Sequence, residues 1–304
     1  MRVIATNLTP QLGARVQALD ATKPIDAGTA TALRELLADR KLLLFRQGEL
    51  SVEQQMTIMS VFGPVIVETP SGEPFSLVTN VDPKGYVIGG DKLVFHADYQ
   101  FTPYGPLQVL SLYAVEMHQA EPTVYYDMVA GAAKLPAGLR SRMDALNVVQ
   151  LLDYSSNFSE SRRSRLSARQ PNKPDSQYPH CTQPMIQIHP GTGRPYVNVS
   201  QMQTSHVEGW SDADSDALFA EMEASVYVPD NMYRHLWAEH DLVVWDNIAL
   251  QHGREALAKA ARRTLRRVAV NNIDVPTMMR DARPDPVRFA VLQWHKDEPT
   301  SAVG

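Results

Sequence analysis

The sequence predicts an antiparallel β core with helices packed around it. Helical periodicity is confined to a few segments, whereas short apolar stretches rich in β-branched residues dominate from Ser76 onward. Strands and helices do not alternate in the βαβ order of parallel sheets. No internal repeat or linker divides the 304 residues. We therefore expect a single domain, residues 1–304, that is mainly β with flanking helices.

Four segments have the residue spacing of helices. Leu33, Leu36 and Leu37 share one face of the first, and Ser51 with Gln54 forms a capping-box pattern at the start of the second. A proline near the first turn and a preceding serine mark the starts of the other two. The predicted helices are 26–40, 51–62, 136–146 and 212–226.

The remaining regular segments are short and apolar, as strands are. Runs such as Leu242–Trp245 have the length and the β-branched content of buried strands. The predicted strands are 41–45, 76–81, 107–117, 124–127, 148–152, 185–189, 233–237, 242–245 and 264–271, with a further one leading into His96.

One long segment, residues 154–182, has no periodicity. It holds three prolines, many serines and four arginines: Arg162, Arg163, Arg165 and Arg169. A loop of this length inside a compact domain is usually either functional or disordered. We expect a lid that closes over an acidic substrate, and a solvated insert is the equal alternative.

Composition excludes several classes of protein. A net charge of -5 argues against nucleic acid as the main partner, since nucleic-acid-binding proteins usually present a basic surface. Cys181 is the only cysteine, so no intrachain disulfide can form. The N-terminal residues do not resemble a signal peptide, and no apolar run has the length of a membrane span. The expectation is a cytoplasmic globular protein without a membrane partner.

Three residues have the types and spacing of a metal site. His96 and Asp98 lie at the end of a predicted strand, where residues two apart project to the same face, and His252 follows a later strand. Two imidazoles and one carboxylate are the ligands of non-haem iron sites that keep positions open for other molecules. A His-x-Asp pair alone is weak evidence, because His295-Lys296-Asp297 has the same pattern. The aromatic strand around His96 and the later histidine favour the first pair.

Arginines on the last predicted strand form a second candidate feature. Alternation along 262–267 places Arg263, Leu265 and Arg267 on one face, and Thr264 and Arg266 on the other. Arginine is rarely buried without a partner. An inward Arg263 or Arg267 would therefore require a bound carboxylate.

Taken together and in order, these motifs resemble the TauD/TfdA (taurine dioxygenase-like) family of Fe(II)- and 2-oxoglutarate-dependent dioxygenases, over roughly residues 10–275. The matching stretches are Leu43–Gln47, Phe62-Gly63, His96–Asp98, Ile188–Arg194, Val243–Asn247 and His252 with the arginine strand. The resemblance implies a double-stranded β-helix, the jelly-roll or cupin-like core. It also implies oxidation of a small molecule, with Fe(II), 2-oxoglutarate and O2 consumed or bound and succinate and CO2 released.

The resemblance also implies roles for individual residues. The two histidines and the aspartate would be the iron ligands, and Thr123 and Arg263 would bind the distal carboxylate of 2-oxoglutarate. Arg267 would lie near the other end of the co-substrate and the anionic group of the substrate. Glu68, Asn80 and Tyr99 are candidates for the substrate pocket, although Glu68 and Asn80 suit edge and turn positions equally well. Family members often form homodimers or homotetramers.

Departures from the family pattern bear on the substrate. The stretch after Phe62-Gly63 lacks the histidine that holds the sulfonate in taurine dioxygenase, so taurine itself is disfavoured. Asp98 stands where halogenating relatives have a small residue, which favours hydroxylation or desaturation. Local similarity around His96 and His252 points to members of secondary metabolism that process isonitrile or amino-acid-derived compounds. A zinc hydrolase and a non-catalytic binding protein are the alternatives from other classes.

Overall fold

A computed structural model describes residues 3–17, 19–69, 71–81, 91–152 and 178–282, together with the backbone of 86–87. The strands are β1 (Ile4–Asn7), β2 (Ala14–Gln17), β3 (Leu42–Arg46), β4 (Ser76–Thr79), β5 (Tyr86–Val87), β6 (Leu93–His96), β7 (Val109–His118), β8 (Thr123–Asp127), β9 (Asn147–Leu151), β10 (His180–Pro184), β11 (Ile186–Ile188), β12 (Pro195–Val197), β13 (Thr204–Val207), β14 (Met232–His235), β15 (Asp241–Asp246), β16 (Leu250–Arg254) and β17 (Arg262–Val270). The helices are α1 (Ala27–Arg40), α2 (Val52–Met59), α3 (Met128–Lys134), α4 (Ala137–Asp144), α5 (Asp212–Val226) and α6 (Val275–Asp281).

Two sheets form the core of the molecule. The larger has the strand order β1-β2-β3-β15-β7-β17-β4-β5, and the smaller has the order β14-β8-β16-β6. Apolar side chains of both sheets share one cluster, in which Leu110, Trp245 and Leu265 of the larger sheet meet Tyr125 and Leu250 of the smaller. Such an arrangement of two apposed, largely antiparallel sheets is a jelly roll. The fold is a double-stranded β-helix, as the sequence predicted.

The central strands of the larger sheet are buried on both faces. Along β3, Leu42 and Leu44 point into the cluster between the sheets. Leu43 and Phe45 pack on the other face, in a second cluster that includes Leu33 of α1. This two-sided burial explains why the strand is a continuous apolar run instead of an alternating one.

Local signals account for the positions of the helices. The Asp26 side chain accepts a hydrogen bond from the backbone of Thr29 at the start of α1, and Lys41 ends that helix with a positive φ of 60°. Ser51 and Gln54 form a reciprocal capping box at the start of α2. Because a capping side chain replaces a missing backbone partner, these residues fix where each helix begins.

Every strand and helix that the sequence predicted is present, with ends shifted by no more than three residues. The N-terminal hairpin β1–β2 and the helix α3 were not predicted. Helix α3 contains Gly131, whose added Cβ would lie 2.8 Å from a methyl group of Val226 on α5. This glycine lowers helix propensity but permits close packing of the two helices, so tertiary contacts outweigh the local signal.

The expected loop at 154–182 differs from the structure at its C-terminal end. His180–Pro184 forms β10, which pairs antiparallel with β9 in the register His180 to Leu151. Residues 180–182 are therefore strand and not loop, because β9 offers a pairing edge that sequence alone does not reveal. The stretch 153–177, including all four arginines, lies outside the described residues. The lid stays a prediction.

Among the described helices, none combines the length and the apolar character that a bilayer span requires.

An ion pair with a buried carboxylate stabilises the start of β15, and its contribution should depend on pH. Arg46 donates two hydrogen bonds of 2.6 Å to the fully buried carboxylate of Asp241. Burial acts to raise the pKa of Asp241, but Arg46, His235 and the Ala238 N–H together outweigh it, and the pKa falls to about 2. At pH 7, Asp241→Asn should lower the free energy of unfolding by about 2 kcal/mol, the energy equivalent of this shift.

The stabilisation is complete above the ordinary pKa of aspartate and is lost as the pH falls through the depressed value. The difference between wild type and variant should therefore shrink between about pH 4 and pH 2. Urea unfolding at several pH values measures this difference. Asp144→Asn, in the exposed pair of Asp144 with Arg140, is the control. A loss of unfolding free energy in Asp241→Asn that does not change with pH would contradict this interpretation.

Candidate metal and co-substrate site

Two neighbouring strands of the smaller sheet bring the two candidate histidines together. β6 and β16 are antiparallel, and His96 is the direct register partner of His252. Their ring centroids lie 4.3 Å apart. Gly253 allows this approach, because an added Cβ would lie 2.7 Å from the Leu93 carbonyl oxygen and 2.9 Å from the Phe95 ring. The strand pairing thus places one histidine opposite the other.

Asp98 reaches the histidines from a turn and not from the strand itself. β6 ends at His96, and the next residues form a turn in which Tyr99 has a φ of 64°. Asn247 holds this turn: it accepts from the Asp98 backbone N–H at 3.2 Å and donates to the Asp98 carbonyl at 3.1 Å. Asp98 therefore lies beside His96, as the sequence predicted. The turn and its contact with Asn247 bring the two side chains together, and not strand alternation.

The donor atoms of the three residues converge. One ligand atom from each of His96, Asp98 and His252 can be chosen so that all lie within 4.8 Å of one another, and no other such group of three occurs among the described residues. His96 Nδ1 lies 2.8 Å from the Val94 carbonyl oxygen, which favours the tautomer with its proton on Nδ1. Its Nε2 then faces Asp98 Oδ1 at 3.2 Å. Two acceptors at that distance repel unless a proton or a cation lies between them.

The protonation of the site suits metal binding. Burial lowers the pKa of His252 to about 3, and His96 beside it contributes further. Burial acts to raise the pKa of Asp98, but the Arg267 guanidinium and the histidines hold it well below its ordinary value. At neutral pH, His252 is therefore neutral and Asp98 is charged, which are the forms that coordinate metal ions.

The arginines of β17 alternate between the two faces of the larger sheet, as predicted. Arg266 points to the outer face, where its Nε donates to Gln55 at 2.7 Å and its guanidinium lies 4.6 Å from the Tyr113 ring centroid. Arg263 and Arg267 point inward, toward the smaller sheet. Their surroundings differ sharply.

Arg263 is buried without a carboxylate partner among the described residues. It is 5% exposed, its Nη2 donates to Thr123 Oγ1 at 3.2 Å, and its Nε has no partner in that part of the chain. Trp237 donates to the same Thr123 oxygen at 3.0 Å. Burial, with a smaller effect from Arg254, lowers the pKa of Arg263 to about 9. Such a cation is costly to bury alone, so this corner suits a bound anion.

Arg267, in contrast, is already paired with two carboxylates. Its Nε and Nη2 donate to the two oxygens of Glu68 at 3.0 and 2.9 Å, and its Nη1 donates to Asp98 Oδ2 at 2.5 Å. Burial acts to lower the pKa of Arg267, but Glu68 and Asp98 raise it above its ordinary value. The remaining Asp98 oxygen, Oδ1, is the one that faces His96.

The other two pocket candidates have different surroundings. Asn80 uses its amide to bind backbone, donating to the Ala261 carbonyl at 2.8 Å and accepting from the Arg263 N–H at 2.8 Å. It anchors the start of β17, which is the edge role that the sequence left open. Tyr99 stacks on Phe101 with ring centroids 5.9 Å apart.

Sequence reasoning missed several residues that shape the site. Asn247 was noted only as part of a motif, and Trp237 was not considered at all. Tyr125 is fully buried against the His252 ring, and its hydroxyl has no partner among the described residues. Alternation along β8 could have revealed it, since Thr123 and Tyr125 are two apart and share a face.

The sequence matches one known protein family over most of its length. Residues 5–269 match the family described as "Taurine catabolism dioxygenase TauD, TfdA family". The chain belongs to this family. It is an Fe(II)- and 2-oxoglutarate-dependent dioxygenase that uses O2 and acts on a small molecule.

Similar proteins match the chain over most of its length or over a shorter stretch. The alpha-ketoglutarate-dependent 2,4-dichlorophenoxyacetate dioxygenase of Cupriavidus pinatubonensis is 28% identical over 292 residues, 88% of this chain and 97% of the relative. The tyrosine isonitrile desaturase of Pseudomonas aeruginosa is 38% identical over 76 residues, 25% of each chain. The crystal structure of AAD-2 with Mn(II) and N-oxalylglycine superposes with a TM-score of 0.72 at 22% identity, covering 90% of this chain and 99% of the other.

The contact at Gly253 yields a test of how the strands position the metal ligands. Gly253→Ala should push β16 away from β6 and weaken binding of Mn(II), a redox-stable substitute for Fe(II), by about tenfold or more. Titration calorimetry measures the affinity, and circular dichroism reports whether the fold is retained.

Gly138→Ala is the matched control, because an added Cβ at that helical position meets nothing within 4 Å. Wild-type Mn(II) affinity in Gly253→Ala would show that the close approach of the strands does not position the ligands.

Proposed function

We propose that His96, Asp98 and His252 bind one Fe(II) ion and that Thr123 and Arg263 bind the distal carboxylate of 2-oxoglutarate. The bound metal, 2-oxoglutarate and O2 supply the oxidising chemistry, which releases succinate and CO2. Hydroxylation is the proposed outcome for the small-molecule substrate, with desaturation as the alternative within the same family. The observation that carries the proposal is a buried arginine, without a carboxylate partner among the described residues, next to a His/Asp/His cluster.

The donor set fits ferrous iron. Two neutral imidazoles and one carboxylate on adjacent structural elements leave open coordination positions for a bidentate co-substrate and for O2. Arg267 takes one oxygen of Asp98, so only Oδ1 remains directed at the histidines. Asp98 would therefore coordinate through a single oxygen.

The corner around Arg263 fits one end of a dicarboxylate. Thr123 Oγ1 already accepts two hydrogen bonds, from Arg263 and Trp237, so its own proton is available to an acceptor. A carboxylate placed there would accept from Thr123 and from Arg263 and would neutralise the buried charge.

This corner also separates the proposal from its rivals. A zinc hydrolase could use the same three ligands, but it would have no use for a buried cation and a free hydroxyl nearby. A non-catalytic binding protein would not need the complete ligand set.

Four expectations from the sequence stay predictions: the cytoplasmic location, a role in secondary metabolism, assembly into dimers or tetramers, and the single domain with its lid at 154–182.

Anaerobic titration tests the assigned roles. Fe(II) and 2-oxoglutarate together should give a weak metal-to-ligand charge-transfer band in the visible spectrum of the wild-type protein. His252→Ala should lose the band because the metal is no longer held. Arg263→Gln should keep Mn(II) affinity but weaken 2-oxoglutarate binding by about a hundredfold, because a buried charge pair can no longer form.

Arg262→Gln is the control for the arginine, since this neighbour on the same strand is exposed and pairs with Glu116. A folded wild-type protein that gives no band would leave the zinc and binding-protein alternatives standing. Unchanged 2-oxoglutarate affinity in Arg263→Gln would remove Arg263 from the co-substrate site.

A further inference from the structure

Glu68 is a buried carboxylate next to the candidate metal site. Val65 forms an antiparallel bridge with Val270, and the Ile66 N–H donates to the Ala269 carbonyl at 3.0 Å. This contact with the end of β17 brings Glu68 to Arg267, where the two side chains form a bidentate pair with only 13% and 12% of their surface exposed. These backbone contacts therefore fix the position of Glu68 beside Arg267.

The pair determines what Arg267 can still bind. Nε and Nη2 of Arg267 are taken by Glu68, and Nη1 is taken by Asp98. The side-on edge of a guanidinium, formed by Nε and one Nη, is an edge that binds a carboxylate bidentately. An acidic group of a substrate would find this edge already occupied by Glu68.

The charge of the loaded site leads to the same conclusion. Arg263 and Arg267 are matched by Asp98 and Glu68, and a ferrous ion is matched by the 2-oxoglutarate dianion. The charges of these six groups therefore balance, and the same set without Glu68 would have one excess positive charge. An additional buried anion in a neutral site would lack a partner, which is unfavourable.

We propose that Glu68 is a specificity-determining residue that excludes an acid from the iron-side pocket and selects a non-acidic, hydrogen-bond-donating substrate group. The carboxylate oxygens of Glu68 can each accept a further N–H or O–H while they hold Arg267. This inference rests on the proposed function and reverses the expectation, drawn from sequence, of an acidic substrate held by Arg267.

Two probes of matched shape test the inference. Phenoxyacetate and phenoxyacetamide differ in that only the first carries a negative charge and only the second donates N–H bonds. Each is titrated anaerobically into the Fe(II)–2-oxoglutarate complex, and binding is measured as a change in the visible band, without turnover. The wild-type protein should bind the amide at least as tightly as the acid. Glu68→Gln should bind the acid at least about tenfold more tightly than the wild-type protein does.

Two further variants make the result decisive. Glu68→Ala is titrated in parallel, because it removes the carboxylate without adding an amide, and it should show the same gain. Glu73→Gln, at an exposed position of the same connection, should leave both affinities unchanged.

The inference is overturned if wild type and Glu68→Gln bind the acid equally, or if neither Glu68 variant gains acid binding. Loss of the band in both Glu68 variants would assign Glu68 to holding the metal site and would also overturn it. Absence of the band in the wild-type protein would instead count against the proposed function itself.

Discussion

The antiparallel pairing of β6 with β16 is the constraint on which the site depends. It sets His96 opposite His252, and a slip of one residue would send one of the two imidazoles to the other face of the sheet. The register becomes irregular immediately beyond this pair, where Gly253 lies against β6. Strand pairing thus positions the two candidate histidine ligands, whereas the Asn247 side chain holds the turn that carries Asp98.

Buried charges in the described part of the chain are matched either by ion pairs or by hydrogen bonds to neutral groups. Lys41 and Asp127 form a buried pair at 3.0 Å, Asp241 pairs with Arg46, and Arg267 pairs with two carboxylates. Two other buried arginines, Arg40 and Arg266, form no ion pair among the described residues but donate to several carbonyl or amide oxygens. Arg263 donates there to a single threonine hydroxyl, and this sparse hydrogen bonding is informative about what binds beside it.

The sequence predicted the fold and the clustering of His96, Asp98 and His252 more fully than it predicted the surrounding pocket. Alternation along β17 correctly placed Arg263 and Arg267 on one face and Arg266 on the other, because strand geometry alone decides it. The pairing of Glu68 with Arg267 joins residues 199 positions apart, and no local pattern encodes such a contact. For Asn80 the sequence left a pocket role and a turn or edge role equally open, because its partners are backbone groups at the start of β17 that only the fold brings near. Helix α3 was missed because Gly131 serves packing and not helix formation.

The two-sided burial of β15 has a consequence for how the enzyme loses activity on heating. This strand lies between β3 and β7 at the centre of the larger sheet, and it leads directly into Asn247, which clamps the turn that carries Asp98. A strand buried on both faces cannot detach without opening the whole interior. Loss of iron and unfolding of the sheet should therefore coincide in one cooperative transition. No folded intermediate should persist once the turn that carries Asp98 has unfolded.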